Sequence, residues 1–491
     1  YAAYSKYGAN DRAINMYPEI NQARQQSAYS PTLPPLNFYN RPGHTLFCTL
    51  PTSPCRAMFG GNNQLFAVGG DHVYQINFST VDGSFLSITD LGAIASSVNP
   101  AWIESSGSQL AIYDGAFSGS IWVWNLDGSI PMTRALTNAR GLTFIDGYFV
   151  ALRDITFANG NQINISGVFD GLTWAPLDYQ TRTSRPDVIQ AILADHEMLW
   201  LFGKKTAEVW VNEPNPPNFP FVRYPEGLME QGIWSQWSLS KLDESMIWLG
   251  GDDRGIGTIW RSNGFTPQRI SNHAIENLIR SYGLSGTDTS DGVAYTYTEN
   301  GHSFYVITFT HANRTIAVDL TTGMWHERGE WDGSSLDPDT SISQYKAALH
   351  TMTGNRHFVS GGFDGNIYVA SVDTYTDDGN AILYQRSGPH VNVENKMIRH
   401  KRFEVFQEQP DVSSDPPTAT LEISNNGGKT YPAVLTDVLG QDPADPDGIQ
   451  HVTRFQRLGR AMDRMYRYSR TDANKQAWID AFVETEPGDG G

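Results

Sequence analysis

Residues 65–74 run Leu65-Phe66-Ala67-Val68-Gly69-Gly70-Asp71-His72-Val73-Tyr74: a short apolar strand, a small polar turn, then a β-branched and aromatic pair. This is the grammar of a β-hairpin. The same apolar strand returns at Leu110-Ala111-Ile112-Tyr113-Asp114-Gly115, Tyr148-Phe149-Val150-Ala151-Leu152 and Leu199-Trp200-Leu201-Phe202-Gly203. It returns again at Ile247-Trp248-Leu249-Gly250-Gly251, Phe304-Tyr305-Val306-Ile307 and Phe358-Val359-Ser360-Gly361-Gly362. Most copies lead to a second pair: Ile121-Trp122, Val209-Trp210, Ile259-Trp260, Ile367-Tyr368. Successive starts lie 45, 38, 51, 48, 57 and 54 residues apart, near the spacing of propeller blades, each one four-stranded sheet. A lone blade cannot cover both its faces and is stabilised when neighbours stack on it and close a ring. The expected fold is all-β: residues 61–385 a β-propeller of six or seven blades, with several unrelated antiparallel sheets as the alternative.

Outward from the repeat the texture changes. Residues 1–60, rich in Tyr, Asn and Pro, read as an extended N-terminal arm that is ordered by docking. Residues 386–491 read as a C-terminal β-sandwich-like domain, with strands near 396–410, 452–458, 464–470 and 477–483. One helix interrupts the repeat: Ser271 or Asn272 can cap it, Ile275, Leu278, Ile279 and Tyr282 share a face, and Gly283 can end it.

Of the 491 residues 18% are charged and 12% aromatic, and the formal net charge is −18. Such a charge repels a polyanion and disfavours a sequence reader that neutralises phosphates. Residues 391–470 hold eleven Lys+Arg and eleven Asp+Glu, so the net acidity lies outside that segment. Cys48 and Cys55, the only cysteines, indicate neither a zinc site nor a disulfide framework and fit synthesis in a reducing cytosol. No apolar stretch reaches the roughly 18 residues of a membrane span, and no leader precedes Tyr1; the expectation is a soluble protein without a signal peptide.

Chemistry-bearing motifs are sparse. Gly250-Gly251-Asp252-Asp253-Arg254-Gly255 is glycine-rich but reads as a hairpin turn, lacking the Lys-Ser or Lys-Thr of a phosphate loop. Asp442, Asp445 and Asp447 with Gly448 do not follow calcium-loop spacing. Ser424-Asn425-Asn426-Gly427-Gly428-Lys429-Thr430-Tyr431 resembles the Asp-box of sialidase propellers, with Asn426 for the Asp and Tyr431 for the Trp; the box is a turn device. Arg454, Arg457, Arg460, Arg464, Arg467 and Arg470 form the densest basic run, either paired with acids or a docking face for an acidic partner. No catalytic, cofactor-binding or metal-ligating residue is nominated.

The order of segments resembles the tail hub, or nozzle, proteins of short-tailed bacteriophages, also called packaged-DNA stabilisation proteins. The matching residues are Asn15-Met16-Tyr17-Pro18-Glu19, Pro42-Gly43-His44-Thr45-Leu46-Phe47, Leu201-Phe202-Gly203 through Glu208-Val209-Trp210, and Trp248-Leu249-Gly250. They continue through Ile270-Ser271-Asn272-His273-Ala274-Ile275-Glu276, Gly301-His302-Ser303-Phe304-Tyr305, Met324-Trp325-His326-Glu327-Arg328, and Arg457-Leu458-Gly459-Arg460 with Arg464 to Tyr468. The resemblance implies a non-enzymatic virion protein that forms a ring, commonly six-fold, below the portal and its adaptor. It would retain packaged DNA and form the conduit for its ejection, with the adaptor, a plug or needle, and fibres or spikes as partners. It implies no cofactor, and His326, Glu327 and Arg328 are expected to be a polar cluster tying blades together. Glu484 to Gly491 and the linker around 435–450 fall outside the matching pattern. The rival expectation is a sialidase-like or glycan-binding propeller with an aromatic and carboxylate pocket on its axis.

Overall fold

The computed structural model describes residues 11–20 and 36–487, apart from 183, 186, 214–218, 253–254, 284–290, 395, 409–416, 440, 443–444 and 450–451. Nearly all regular structure in these residues is β. Each of the seven apolar strands of the repeat is the second strand of a four-stranded antiparallel unit, buried along most of its length. The first unit comprises Cys55–Gly61, Gln64–Gly69, His72–Phe78 and Phe85–Ala93. The second and third share the long strand Thr133–Ile145, which pairs with Gly119–Asn125 through its first half and Tyr148–Arg153 through its second. Asn138, with φ of 56°, lies where that strand changes partner.

The fourth, fifth and sixth units span Ile189–Met229, Ser240–Arg269 and Val293–Arg328. The seventh is built from Leu349–Thr353, Arg356–Ser360 and Asn366–Ser371, and its fourth strand is Gly43–Thr49, from the other end of the chain. A boundary at residue 60 therefore cuts through the sheets: Gly43–Thr49 belongs to the seventh unit and Cys55–Gly61 opens the first.

Six of the seven units turn their first hairpin on two residues that both have positive φ. These are Asn62-Asn63, Asp146-Gly147, His196-Glu197, Asp243-Glu244, Asn300-Gly301 and Gly354-Asn355, the turn whose twist matches that of the flanking strands. The expected helix spans His273–Ser281. Asn272 caps it by accepting from the N–H groups of Ala274 and Ile275 at 3.1 and 3.0 Å, and Ile275 and Ile279 enter a core with Ile247, Leu249 and Tyr305.

Most of the remaining strands form two sheets around a core that includes Met16, Phe403, Leu421, Phe455, Tyr468 and Trp478. One runs Met16–Ile20, Leu36–Asn40, Ala477–Pro487, Ile398–Gln407, Val452–Ala461. The other includes Tyr384–Ser387, Asp463–Arg470, Thr418–Ser424 and Ala433–Val438, and Ala13–Ile14 couples it to the sixth unit through parallel pairing of Ile14 with Glu327. The first described residues are thus strands within sheets completed by the last. The acidic end finds partners here: Glu484 and Glu486 face Lys401, and Glu484 lies 3.3 Å from Arg402.

Arg41 stands where these parts meet. It is fully buried and donates to Asn15 Oδ1, the carbonyls of Pro42 and Gly329, and both carboxylate oxygens of Asp377. Breaking one side of a buried pair strands the other charge. Arg41→Met is therefore expected to lower stability by about 3–5 kcal/mol, whereas Arg454→Met, at an exposed pair with Glu404, changes it by less than about 1 kcal/mol. Urea unfolding of the purified variants measures both.

Candidate functional site in the central cavity

A cavity of about 350 Å³ is lined by first-strand residues from six of the seven units, among them Phe59, Trp102, Glu104, Lys241, Tyr295 and His350. Trp237 closes one side. It belongs to a 3-10 turn, Gln236–Ser238, whose Trp237 N–H is accepted by the Ser235 side chain, and its ring stacks on Tyr113 at 6.3 Å and 11°. A second cavity of about 270 Å³ is also lined by Trp237, together with Arg140, Gln190 and Lys204.

In the larger cavity Glu104 is the only carboxylate among the described lining residues. It accepts from Trp102 Nε1 at 2.8 Å; burial pushes its pKa up, opposed by that hydrogen bond and by the charge of Lys241. His350 Nε2 lies 2.9 Å from His357 Nδ1. Burial, then the neighbouring His357, lowers the His350 pKa to about 3, so the two rings share one hydrogen bond as neutral partners. Burial raises Tyr295 far above the usual phenol value, the opposite of an activated nucleophile. One carboxylate and a protonated phenol do not make the two-carboxylate pair of most glycosidases.

In the last strand of the sixth unit His326 and Arg328 share one face and Glu327 points to the other. Glu327 accepts two hydrogen bonds from Arg12, at 2.8 and 2.9 Å; burial, and then the Asp339 carboxylate, pushes its pKa up to about 8. His326, held neutral by burial, lies with its Nε2 3.0 Å from Arg328 Nε, and Arg328 donates to the Tyr297 hydroxyl at 2.7 Å. The three do not form one cluster tying blades together: Glu327 ties the sixth unit to Arg12, just before the first described strand, while His326 and Arg328 hydrogen-bond within that unit.

His44, Glu330 and Asp377 each place one donor atom within 4.8 Å of the others. Arg41 already binds Asp377 in both oxygens, and Lys346 Nζ lies 4.0 Å from Glu330. The two carboxylates are matched by two cations, and a divalent ion would leave excess positive charge in a buried place.

The other sequence candidates resolve locally. Strands Ser245–Asp252 and Gly255–Asn263 pair as a hairpin around the glycine-rich stretch, whose turn residues 253–254 lie outside the described ones. The side chains of Asp442, Asp445 and Asp447 likewise lie outside them. Asn426 accepts from the Ser424 hydroxyl and from Thr430 N–H, at 2.8 and 3.1 Å, which is the turn device expected of the Asp-box likeness. In the arginine run, Arg464, Arg467 and Arg470 are buried; Arg467 grips Glu422 at 2.7 and 2.9 Å. Arg454, Arg457 and Arg460 are exposed. Sequence reasoning did not nominate Trp102, Glu104, Trp237 or Lys241, because first strands are short and mixed in polarity.

The family model of the bacteriophage P22 Gp10 stabilisation proteins, described as a β-propeller, matches residues 10–375. The chain belongs to this phage stabilisation family. The family is virion-associated, and the match ends just after the seventh unit. No curated protein matches the chain. Among solved structures it is similar to PorZ, a surface component of the type-IX secretion system of Porphyromonas gingivalis, at 12% identity over 74% of this chain and 44% of that one, TM-score 0.38. It is also similar to the extracellular domain of the putative hybrid two-component system BT4673 from B. thetaiotaomicron, at 8% over 80% and 47%, TM-score 0.41. A third is KlHsv2 with a replaced loop, at 10% over 60% and 90%, TM-score 0.31. The chain spans less than half the length of the first two. Among the described residues no helix is long and apolar enough to cross a membrane.

Four histidines are held neutral by burial: His326, His350, His357 and His400, the last lowered to about 4. In the unfolded chain each takes up a proton below about pH 6.5. Their contribution is therefore present above that pH and is lost as the pH falls toward the folded values. His302, raised by its hydrogen bond to Asp319, works in the opposite sense. The urea midpoint is expected to fall between pH 7 and 5, each histidine adding up to about 1.4 kcal/mol per pH unit, and His350→Gln should flatten the slope.

Proposed function

We propose that the seven units are the blades of a closed seven-bladed propeller, and that the chain is the nozzle or hub subunit of a short-tailed phage tail. The observation that carries closure is the hydrogen bonding of Gly43–Thr49 to Asn366–Ser371, which joins the start of the repeat to its end. The cavity lined from six units then lies on the propeller axis. In this reading the subunits form a ring, commonly six-fold, below the portal and its adaptor, retain the packaged DNA, and conduct it into the host at infection. The adaptor, a plug or needle, and fibres or spikes are the partners, and the protein is made in the host cytoplasm. Membership of a phage stabilisation family supports the setting. The two-sheet domain shared by both chain ends would be the platform toward the adaptor, and the propeller the distal wall.

The protein acts without catalysis in this reading, because the axial cavity holds a single carboxylate among its described residues. A fluorogenic sialoside should show no turnover above buffer. Electron microscopy of purified tails should place the subunit around the axial channel, and a position confined to peripheral fibres refutes the reading. The same maps should show a channel wall that is mostly acidic, since a wall that attracts phosphates would slow a passing duplex.

A further inference from the structure

We propose that the smaller cavity is a binding site for a small oxyanion, a carboxylate or phosphate group, held by Arg140 with Lys204 beside it. The cavity, about 270 Å³, has no Asp or Glu in its lining, in a chain whose formal charge is −18. Its charged residues are Arg140 and Lys204, and Asn99, Gln190 and Gln236 add neutral polar groups.

Arg140 is the deciding residue. Its side chain is only 7% exposed, yet among the described residues no carboxylate lies within ion-pair distance of it. Nη2 donates to Gln190 Oε1 at 3.1 Å, the guanidinium lies 4.9 Å from the Phe117 ring, and Nη1 has no hydrogen-bond partner. Burial lowers the Arg140 pKa, and Tyr113 and the more distant Asp154 carboxylate offset that only in part. Some buried arginines hold a carboxylate, Arg41 with Asp377, Arg467 with Glu422 and Arg470 with Asp472; others, such as Arg56 and Arg464, are satisfied by backbone carbonyls, whereas Arg140 keeps an unpartnered nitrogen at a cavity. A buried cation without a counter-ion is costly, and a small anion entering this cavity would supply one.

Access is provided at the rim, where Phe117 and Ile155 line the cavity and are 58% and 49% exposed. Lys204 is exposed and adds a second positive charge without a described ion-pair partner. The volume suits one phosphate or one acidic monosaccharide and excludes a duplex. The aromatic wall of Tyr113, Phe117 and Trp237 favours a ligand with an apolar face next to its anion.

The test is titration of the full chain with inorganic phosphate and, separately, with glucuronate, at ionic strength held constant with chloride. Trp237 fluorescence and calorimetry are the readouts. Saturable binding of either anion is expected, phosphate alone marking a phosphate-bearing ligand and glucuronate alone a carboxylate. Loss of a charge-assisted hydrogen bond should make Arg140→Gln bind at least roughly tenfold more weakly, and loss of the more distant charge should make Lys204→Gln bind about threefold more weakly. Absence of saturation by both anions overturns the proposal, as does unchanged affinity in a folded Arg140→Gln. If Arg140→Gln does not fold, the exposed Lys204→Gln decides: weakened binding supports the site and unchanged binding overturns it.

Discussion

The fold depends on holding together chain segments more than 300 residues apart, and Arg41 is where that is done. Its five N–H donors are all engaged, by one carboxylate, two carbonyls and an Asn side chain. Its partner Asp377 pairs in parallel with His44 at the start of the strand that completes the seventh unit. Gly43 is required there: an added Cβ would lie 2.4 Å from the Thr374 carbonyl oxygen. A buried ion pair adds little net stability because desolvation cancels much of its Coulomb gain. What it adds here is register, since any slip of Gly43–Thr49 would strand both charges.

The same geometry explains how much of the molecule is legible in the sequence. The second strand of each unit is sandwiched between neighbouring units, so it is apolar throughout and stands out at blade spacing; Gln64–Gly69 and Met198–Gly203 are nearly fully buried. Outer strands such as Phe85–Ala93 are largely exposed and carry no such signal. The shared strand Thr133–Ile145 hides a boundary because one continuous strand serves two units. Leu36–Asn40 and Met16–Ile20 are short, and their partners are far away in sequence, so periodicity could show an arm but not its sheet.

The central cavity is the least legible part, for a related reason. It is assembled from one to four residues of the first strands of six units, so its chemistry exists only after the units are placed side by side. Arg140, which lines the smaller cavity, shows the same difficulty. In sequence it sits in Asn138-Ala139-Arg140-Gly141, an unremarked turn-like stretch; in the structure it is a buried cation next to a cavity without acids. The signal that would have found it is negative, the lack of a carboxylate at ion-pair distance among the described residues, and only three-dimensional proximity can show that.

Charge distribution gains a sharper meaning from the same contacts. The arginine run looked like one basic face, but strand Asp463–Arg470 is buried on both faces, so Arg464, Arg467 and Arg470 are held by Asn425, Glu422 and Asp472, while Arg454, Arg457 and Arg460 face solvent. The balance of charge in residues 391–470 is thus partly internal, and a basic docking face shrinks to the solvent-facing arginines. Under the proposed conduit role a net acidic wall is the useful sign, because phosphates repelled from it leave the duplex free to slide, while a basic wall would bind it with the salt dependence of a nucleic-acid-binding protein.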